Sequence, residues 1–160
     1  MLWFGDWGRM QLDDTATILA HADFFEICDA EQRRLLAFAS ERQSYAPGDI
    51  IYKSGAVAEG AHVLISGTVS TISDDKADRP HRTSQHGSLL GSMALVLAKP
   101  RPVTITAVDA VETLLVPRLA FMKLAKQFPE LAQRAVGRIQ SEMTSYIGAL
   151  ESVRGHMERK

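Results

Sequence analysis

Gly87-Ser-Leu-Leu-Gly91-Ser-Met-Ala-Leu-Val-Leu-Ala-Lys-Pro-Arg101-Pro-Val-Thr104 decides the reading of this 160-residue chain. Two glycines bound a turn, one turn of helix follows, and a lone arginine stands where a strand begins. The strand is signalled by Val103, Ile105 and Ala107 alternating with Thr104 and Thr106. Backbone N–H groups at a helix start attract anions, and a guanidinium grips a phosphate with two parallel hydrogen bonds. Together they hold a single phosphate without a Walker lysine. The segment predicts an anion-binding cassette of Gly91, Ser92, Met93, Ala94, Arg101, Pro102, Val103 and Thr104.

On either side, the pattern runs helix, sheet, helix. Residues 13–22 predict a short helix with Ile18, Leu19 and Ala22 on one side. Asp29, with Gln32 three residues later, reads as a capping box opening a helix to about Ala39. Between 43 and 116, short apolar or alternating runs are separated by Pro47-Gly48, Gly55, Gly60, Gly67, Asp74-Asp75 and Gly87. Residues 74–86 are polar and irregular, and Asp78-Arg79-Pro80 reads as a hairpin tip. Helix returns at 118–127, where Phe121, Leu124, Ala125 and Phe128 are spaced for one face, and Phe128-Pro129 interrupts it.

Residues 18–130 resemble the cyclic-nucleotide-binding domain shared by bacterial catabolite activators, protein kinase regulatory subunits and gated channels. The resemblance rests on Ala22-Asp-Phe-Phe25, Tyr45-Ala-Pro-Gly-Asp-Ile-Ile-Tyr52, Ser54-Gly55, Val63-Leu-Ile-Ser-Gly67, the cassette, and Leu114-Leu-Val-Pro-Arg118, in that order. It implies an α+β fold: an eight-stranded antiparallel, jelly-roll-like β-roll with N-terminal helices and a long C-terminal helix. The expected division is 1–128 for the roll with its flanking helices and 129–160 for the C-terminal helix.

The resemblance also assigns roles within the cassette. A glutamate follows the first glycine in the family and accepts from the ribose 2′-hydroxyl; Gly91 is kept here, but Ser92 stands in the glutamate's place. Arg101 matches the arginine that pairs with the equatorial phosphate oxygens. The next residue normally offers a backbone N–H to the phosphate, and Pro102 has none. A hydrogen bond to a charged group contributes ~1.5–3 kcal/mol and a neutral one ~0.5–1.5. Losing both weakens binding by roughly two or three decades, since ~1.4 kcal/mol is tenfold. The implied ligand is cAMP or cGMP, held weakly or replaced by another anion. Ser141 and Thr144 are candidate base contacts from the last helix, set against plain helix-surface positions.

Val136, Ile139, Met143, Tyr146, Leu150, Val153 and Met157 recur at alternating spacings of three and four. That is an a/d seam over about three heptads, long enough to predict a coiled coil. Gly137, Gly148 and Gly155 fall off the seam, each costing ~1 kcal/mol of helix propensity relative to alanine, so this helix needs a partner. Its first turn or two is expected to pack on the roll and the remainder on a second copy. The resemblance supports a homodimer, because catabolite activators dimerise through the corresponding helix. A helix-turn-helix would come next in those proteins; the sequence stops at Lys160, so direct DNA binding is not expected.

Composition narrows the classes further. A net charge of −1 gives no field for nucleic acid or anionic lipid, and no apolar run approaches the ~20 residues of a membrane span. The single cysteine, Cys28, excludes an internal disulfide and suits a reducing cytoplasm. Met1-Leu-Trp-Phe-Gly-Asp-Trp7 lacks the basic flank and cleavage site of a signal peptide, and Trp3, Phe4 and Trp7 are expected to pack on the roll or on a dimer mate. His62, His81 and His86 lack the His-x-His spacing of a cupin metal site, and no serine stands in a nucleophile elbow. No metal, cofactor or catalytic residue is expected. The leading reading is a dimeric, non-enzymatic ligand-sensing module acting through its 118–160 helices on an effector protein. A ligand-free docking scaffold is the alternative, and a small β-roll enzyme of the cupin kind comes third.

Overall fold

The computed structural model describes residues 14–75 and 79–141. A helix over 14–20 (α1) comes first. It stops two residues earlier than the sequence predicts, because His21 turns and its ring Nδ1 donates to the Thr17 carbonyl at 2.8 Å. A 3-10 turn over Asp23–Ile27 then buries Phe24 and Phe25. Helix α2 (Ala30–Ala39) opens on the expected box: Gln32 N–H donates to Asp29 Oδ1 at 2.7 Å, and Asp29 N–H donates to Gln32 Oε1 at 2.9 Å. Two otherwise orphaned donors are satisfied at once.

Eight strands follow: β1 (Glu41–Tyr45), β2 (Ile50–Tyr52), β3 (Gly60–Ser66), β4 (Val69–Ser73), β5 (His81–Thr83), β6 (Leu89–Leu90), β7 (Val103–Ala107) and β8 (Val111–Pro117). They form two antiparallel four-stranded sheets ordered β1-β8-β3-β6 and β2-β7-β4-β5, the β-roll that the resemblance implies. Strand β5 lies within the stretch read as irregular. It pairs Val69 with Thr83 and Thr71 with His81, and its polar side chains left no apolar alternation to detect. Of the proposed hairpin tip at 78–80, residue 78 lies outside the described residues.

Successive strand residues face opposite ways, and β3 uses both faces. Ala61 and Val63 point to the helices, joining Leu19, Phe25, Leu36, Phe121 and Leu131 in the larger core. Leu64 points between the sheets, with Tyr52, Val69, Ile105 and Val111. Each fully buried side chain of this size contributes about 1.5–3 kcal/mol. Helix α3 (Arg118–Gln127) ends where Phe128 leaves helical geometry, and Pro129 sits in the first turn of a helix over 129–141 (α4). Ile139 of α4 is 6% exposed and joins the helix-side core, whereas Val136 is 45% exposed. The seam residues Met143, Tyr146, Leu150, Val153 and Met157 lie outside the described residues.

Candidate functional site

The cassette begins at Gly91, which caps the 3-10 turn Ser92–Leu95 in the left-handed conformation, φ 76° and ψ 45°. A Cβ here would also stand 2.7 Å from both Arg101 Nη1 and Tyr52 Oη, so conformation and close approach both demand glycine. The turn is closed by Ala94 N–H on the Gly91 carbonyl at 2.9 Å and anchored by buried Ala94 and Leu95.

The far limb is pinned from two sides. Gly55 N–H donates to the Arg101 carbonyl at 2.9 Å, and Asp74 N–H donates to the Pro102 carbonyl at 2.8 Å. Thr104 Oγ1 accepts from Ser54 N–H at 3.1 Å, which makes Thr104 a brace for the neighbouring turn. Val103 is half-buried and pairs with Ser73 across the ladder; Pro102 is exposed.

Held this way, Arg101 turns inward. Its guanidinium carbon stands 5.8 Å from the centre of the Tyr52 ring, a cation–π distance. Its Nη1 is buried and has no hydrogen-bond partner among the described residues. Buried donors in proteins are almost always paired, and a charged one left unpaired is costly. An anion beside Gly91 would satisfy it.

Arg101 lines a cavity of about 240 Å³ with Gln43, Tyr45, Tyr52, Lys53, Glu59 and His62 among its neighbours. Tyr52 Oη lies 2.5 Å from the Gly60 carbonyl and 3.0 Å from the Leu90 carbonyl, fixing the ring beneath the guanidinium. Burial raises the Tyr52 pKa well above its usual value, with Arg101 opposing, so the hydroxyl stays protonated. His62 packs edge-on against Tyr52 at 5.1 Å, and its Nδ1 is 2.9 Å from Thr113 Oγ1. Burial pushes its pKa down to about 4, which keeps the imidazole neutral near pH 7. The positive charge set against the Tyr52 ring in this cavity is therefore that of half-buried Arg101.

Ser92 faces elsewhere. It lines a second hollow of about 310 Å³ with His21, Asp23, Gln85, His86 and Arg138 among its walls. The structure thus brings Gly91 and Arg101 together and sets Ser92 on the opposite side of the turn. Met93 lies along a third, apolar groove. Ser141 is exposed at the last described position of α4, and Thr144 lies outside the described residues.

Three contributors were named in the sequence but not assigned to the site. Tyr52 and His62 form the floor of the Arg101 cavity, and Arg118 ties the site to the helices. Arg118 Nη1 donates to the Ala58 carbonyl at 2.8 Å and to the Ala94 carbonyl at 3.2 Å. An aromatic ending the strand before Lys53-Ser54-Gly55 was a usable signal for Tyr52; Arg118 bonds only to backbone oxygens, which sequence does not display.

Residues 42–128, over half of the chain, match the family model of the cyclic nucleotide-binding domain. The chain belongs to that family. A cAMP-dependent protein kinase regulatory subunit of Blastocladiella emersonii is 30% identical over 105 residues, covering 64% of this chain. The regulatory domain of Toxoplasma gondii PKA, crystallised with cAMP, superposes with a TM-score of 0.69 at 19% identity, covering 86% of this chain. The sensor domain of the transcriptional regulator DNR from Pseudomonas aeruginosa gives 0.69 at 16% identity, covering 86% of this chain and 93% of that domain. The cyclic nucleotide-binding domain spans only part of its relatives: this chain covers 26% of the Blastocladiella subunit and 52% of the Toxoplasma chain. Among the described residues no helix is long and apolar enough to cross a membrane, and no group of three or more His, Cys, Asp or Glu is gathered to hold a metal.

Proposed function

We propose that the chain is a non-enzymatic regulatory module whose Arg101 takes the phosphate of a cyclic nucleotide, cAMP or cGMP, with weak affinity. The observation that carries this reading is the buried, partnerless Nη1 of Arg101, held over Tyr52 and against Gly91. Weak affinity is supported by Pro102, which has no N–H to give, and by Ser92, which is short and lines the other hollow. The output runs through Arg118, the first residue of α3, because its guanidinium holds the cassette turn at Ala94 and the β2–β3 loop at Ala58. A ligand that shifts the turn biases α3 and α4 through differential contacts. In this reading residues 129–160 pair two copies along the Val136–Met157 seam, and a cytoplasmic effector protein, not DNA or membrane, reads the helices.

Calorimetric titration with cAMP and with cGMP tests the site. Sub-millimolar binding that disappears in Arg101→Ala is expected; low-micromolar binding refutes the weak-affinity claim, and equal heats from wild type and Arg101→Ala remove Arg101 from the site. Sedimentation of wild type and Met143→Glu tests the pairing, with a dimer and a monomer expected.

One observation favours the ligand-free scaffold instead. The Arg101 cavity, at about 240 Å³, is smaller than the ~300–1,000 Å³ of most small-molecule pockets. Melting temperature separates the two readings, because ligand at ~100 times its dissociation constant adds ~2.7 kcal/mol to a binder and nothing to a scaffold.

A further inference from the structure

The Arg101 cavity has two chemically different ends. Arg101 stands at one, its guanidinium carbon 5.8 Å from the centre of the Tyr52 ring. From there the lining steps to His62, whose ring centre is 5.1 Å from that of Tyr52. It then reaches Tyr45, whose ring centre is 6.1 Å from that of His62. Tyr45 meets His62 and makes no ring contact with Tyr52, so the three rings form a row and not a cluster. Lys53, Val57 and Glu59 also line the cavity and are exposed, which opens the row to solvent.

The far end carries an amide whose orientation is set. Tyr45 Oη donates to Gln43 Oε1 at 2.6 Å, and both side chains line the cavity. Gln43 makes no other side-chain hydrogen bond among the described residues, so its Nε2 protons have no partner there. Reading adenine with a glutamine takes both halves of the amide: the carbonyl accepts from N6 while the NH₂ group donates to N7. Here the carbonyl already holds Tyr45. What remains is a donor, and the purine edge made of acceptors alone is that of guanine, O6 beside N7. Ser141, by contrast, is not among the residues lining this cavity.

A cyclic nucleotide has the same polarity as the cavity, with an anion at one end and a flat base at the other. Aromatic side chains are platforms for such bases. We propose that Gln43 reads the base. With the phosphate on Arg101, the purine lies along the Tyr52–His62–Tyr45 row and the Gln43 amide donates to its O6/N7 edge, selecting cGMP over cAMP. The inference rests on the phosphate reading of Arg101 given above.

Calorimetric titration of the full chain with cGMP, cAMP and cyclic IMP tests it. Binding of cGMP is expected to be roughly tenfold tighter than that of cAMP, the difference one hydrogen bond makes. Cyclic IMP keeps O6 and N7 but lacks the 2-amino group, and it is expected to follow cGMP. Gln43→Ala is expected to bring the three affinities together. Gln43→Glu, which replaces the donor with an acceptor, is expected to favour cAMP. Circular dichroism and cooperative melting are expected to match wild type in both variants, and the wild-type comparison needs neither of them. Arg101→Ala separates the possible failures. Equal affinities or a preference for cAMP, with all binding lost in Arg101→Ala, overturn the base reading and leave the phosphate reading standing. So does a preference for cGMP that persists in Gln43→Ala. Cyclic IMP behaving like cAMP overturns it too, because the 2-amino group and not the O6/N7 edge would then be recognised. No heat from any nucleotide, or heats unchanged in Arg101→Ala, overturn both readings.

Discussion

Two hollows flank the cassette turn, and they are opposites. The one holding Arg101 is floored by Tyr52 and His62 and contains a half-buried guanidinium with one buried, partnerless nitrogen. The one holding Ser92 lies on the helix side, walled by His21, Asp23, the 85–89 segment and Arg138, and Arg138 also stands 3.9 Å from Glu26, which is not part of its lining. The first holds a guanidinium nitrogen without a partner, and the second carries Asp23 and Arg138, charges of both signs, in its walls. In the proposed reading the residues that would take a phosphate, Gly91 and Arg101, come together, while Ser92, at the position the resemblance gives to a sugar-binding glutamate, opens onto a different space.

Restoring what the resemblance expects at 92 and 102 is the largest available perturbation. The double variant Ser92→Glu/Pro102→Ser returns a carboxylate and a backbone N–H, worth roughly two to three decades in affinity if both reach the ligand. Calorimetry with cAMP measures it directly. Should the double variant bind no better than wild type, the side chain at 92 is committed to the helix-side hollow, where Arg138 would hold a glutamate, and the two hollows are independent.

The Arg101 cavity also predicts a pH dependence. His62 is neutral in the fold down to about pH 4, whereas in the unfolded chain it protonates near 6.5. Between those values the unfolded state binds more protons, so stability falls as pH falls. The contribution is complete above 6.5 and is lost progressively toward pH 4, a loss approaching about 3 kcal/mol. Denaturant melts across that window measure it, together with the His62 ring resonances by NMR. An imidazole titrating near 6.5 in the folded protein would contradict the dry, uncharged floor on which Arg101 rests.

The contrast between the hollows also marks how far sequence reached. Arg101, Gly91 and their relation to a strand were legible because each is a local signal: a glycine at a turn, an arginine at a strand start. The capping box at Asp29 and the break at Phe128-Pro129 were legible for the same reason. What was hidden depends on side-chain direction. Ser92 is adjacent in sequence to Gly91, yet it lines the other hollow, and nothing in the string encodes that divergence. Tyr52 reaches Arg101 across 49 positions, and His62 meets Thr113 across 51. Strand β5 escaped because its pairing with β4 is made by backbone, with polar residues outward.

A smaller effect probes the floor itself. Tyr52→Phe keeps the ring under the guanidinium but removes the hydroxyl between the Gly60 and Leu90 carbonyls, 2.5 and 3.0 Å away. Two carbonyls then share the loss of one donor, so about 1–2 kcal/mol of stability is expected to go, read by urea denaturation. Ligand affinity is expected to fall by less than in Arg101→Ala, since the cation remains. An affinity loss equal to that of Arg101→Ala would mean that the hydroxyl, and not the arginine alone, faces the anion.

The smallest expected effect lies beside the helix-side hollow. Glu26 and Arg138 are 3.9 Å apart, and the Glu26 side chain is 68% exposed, so solvent screens their attraction. Exposed pairs of this kind contribute about 0–1 kcal/mol. Glu26→Gln is expected to shift the denaturation midpoint barely beyond error and to leave nucleotide titrations unchanged, at low and at high salt alike. A larger change in binding than in stability would break the contrast: it would mean that Arg138 reaches the ligand past Ser92, and that the helix-side hollow belongs to the site.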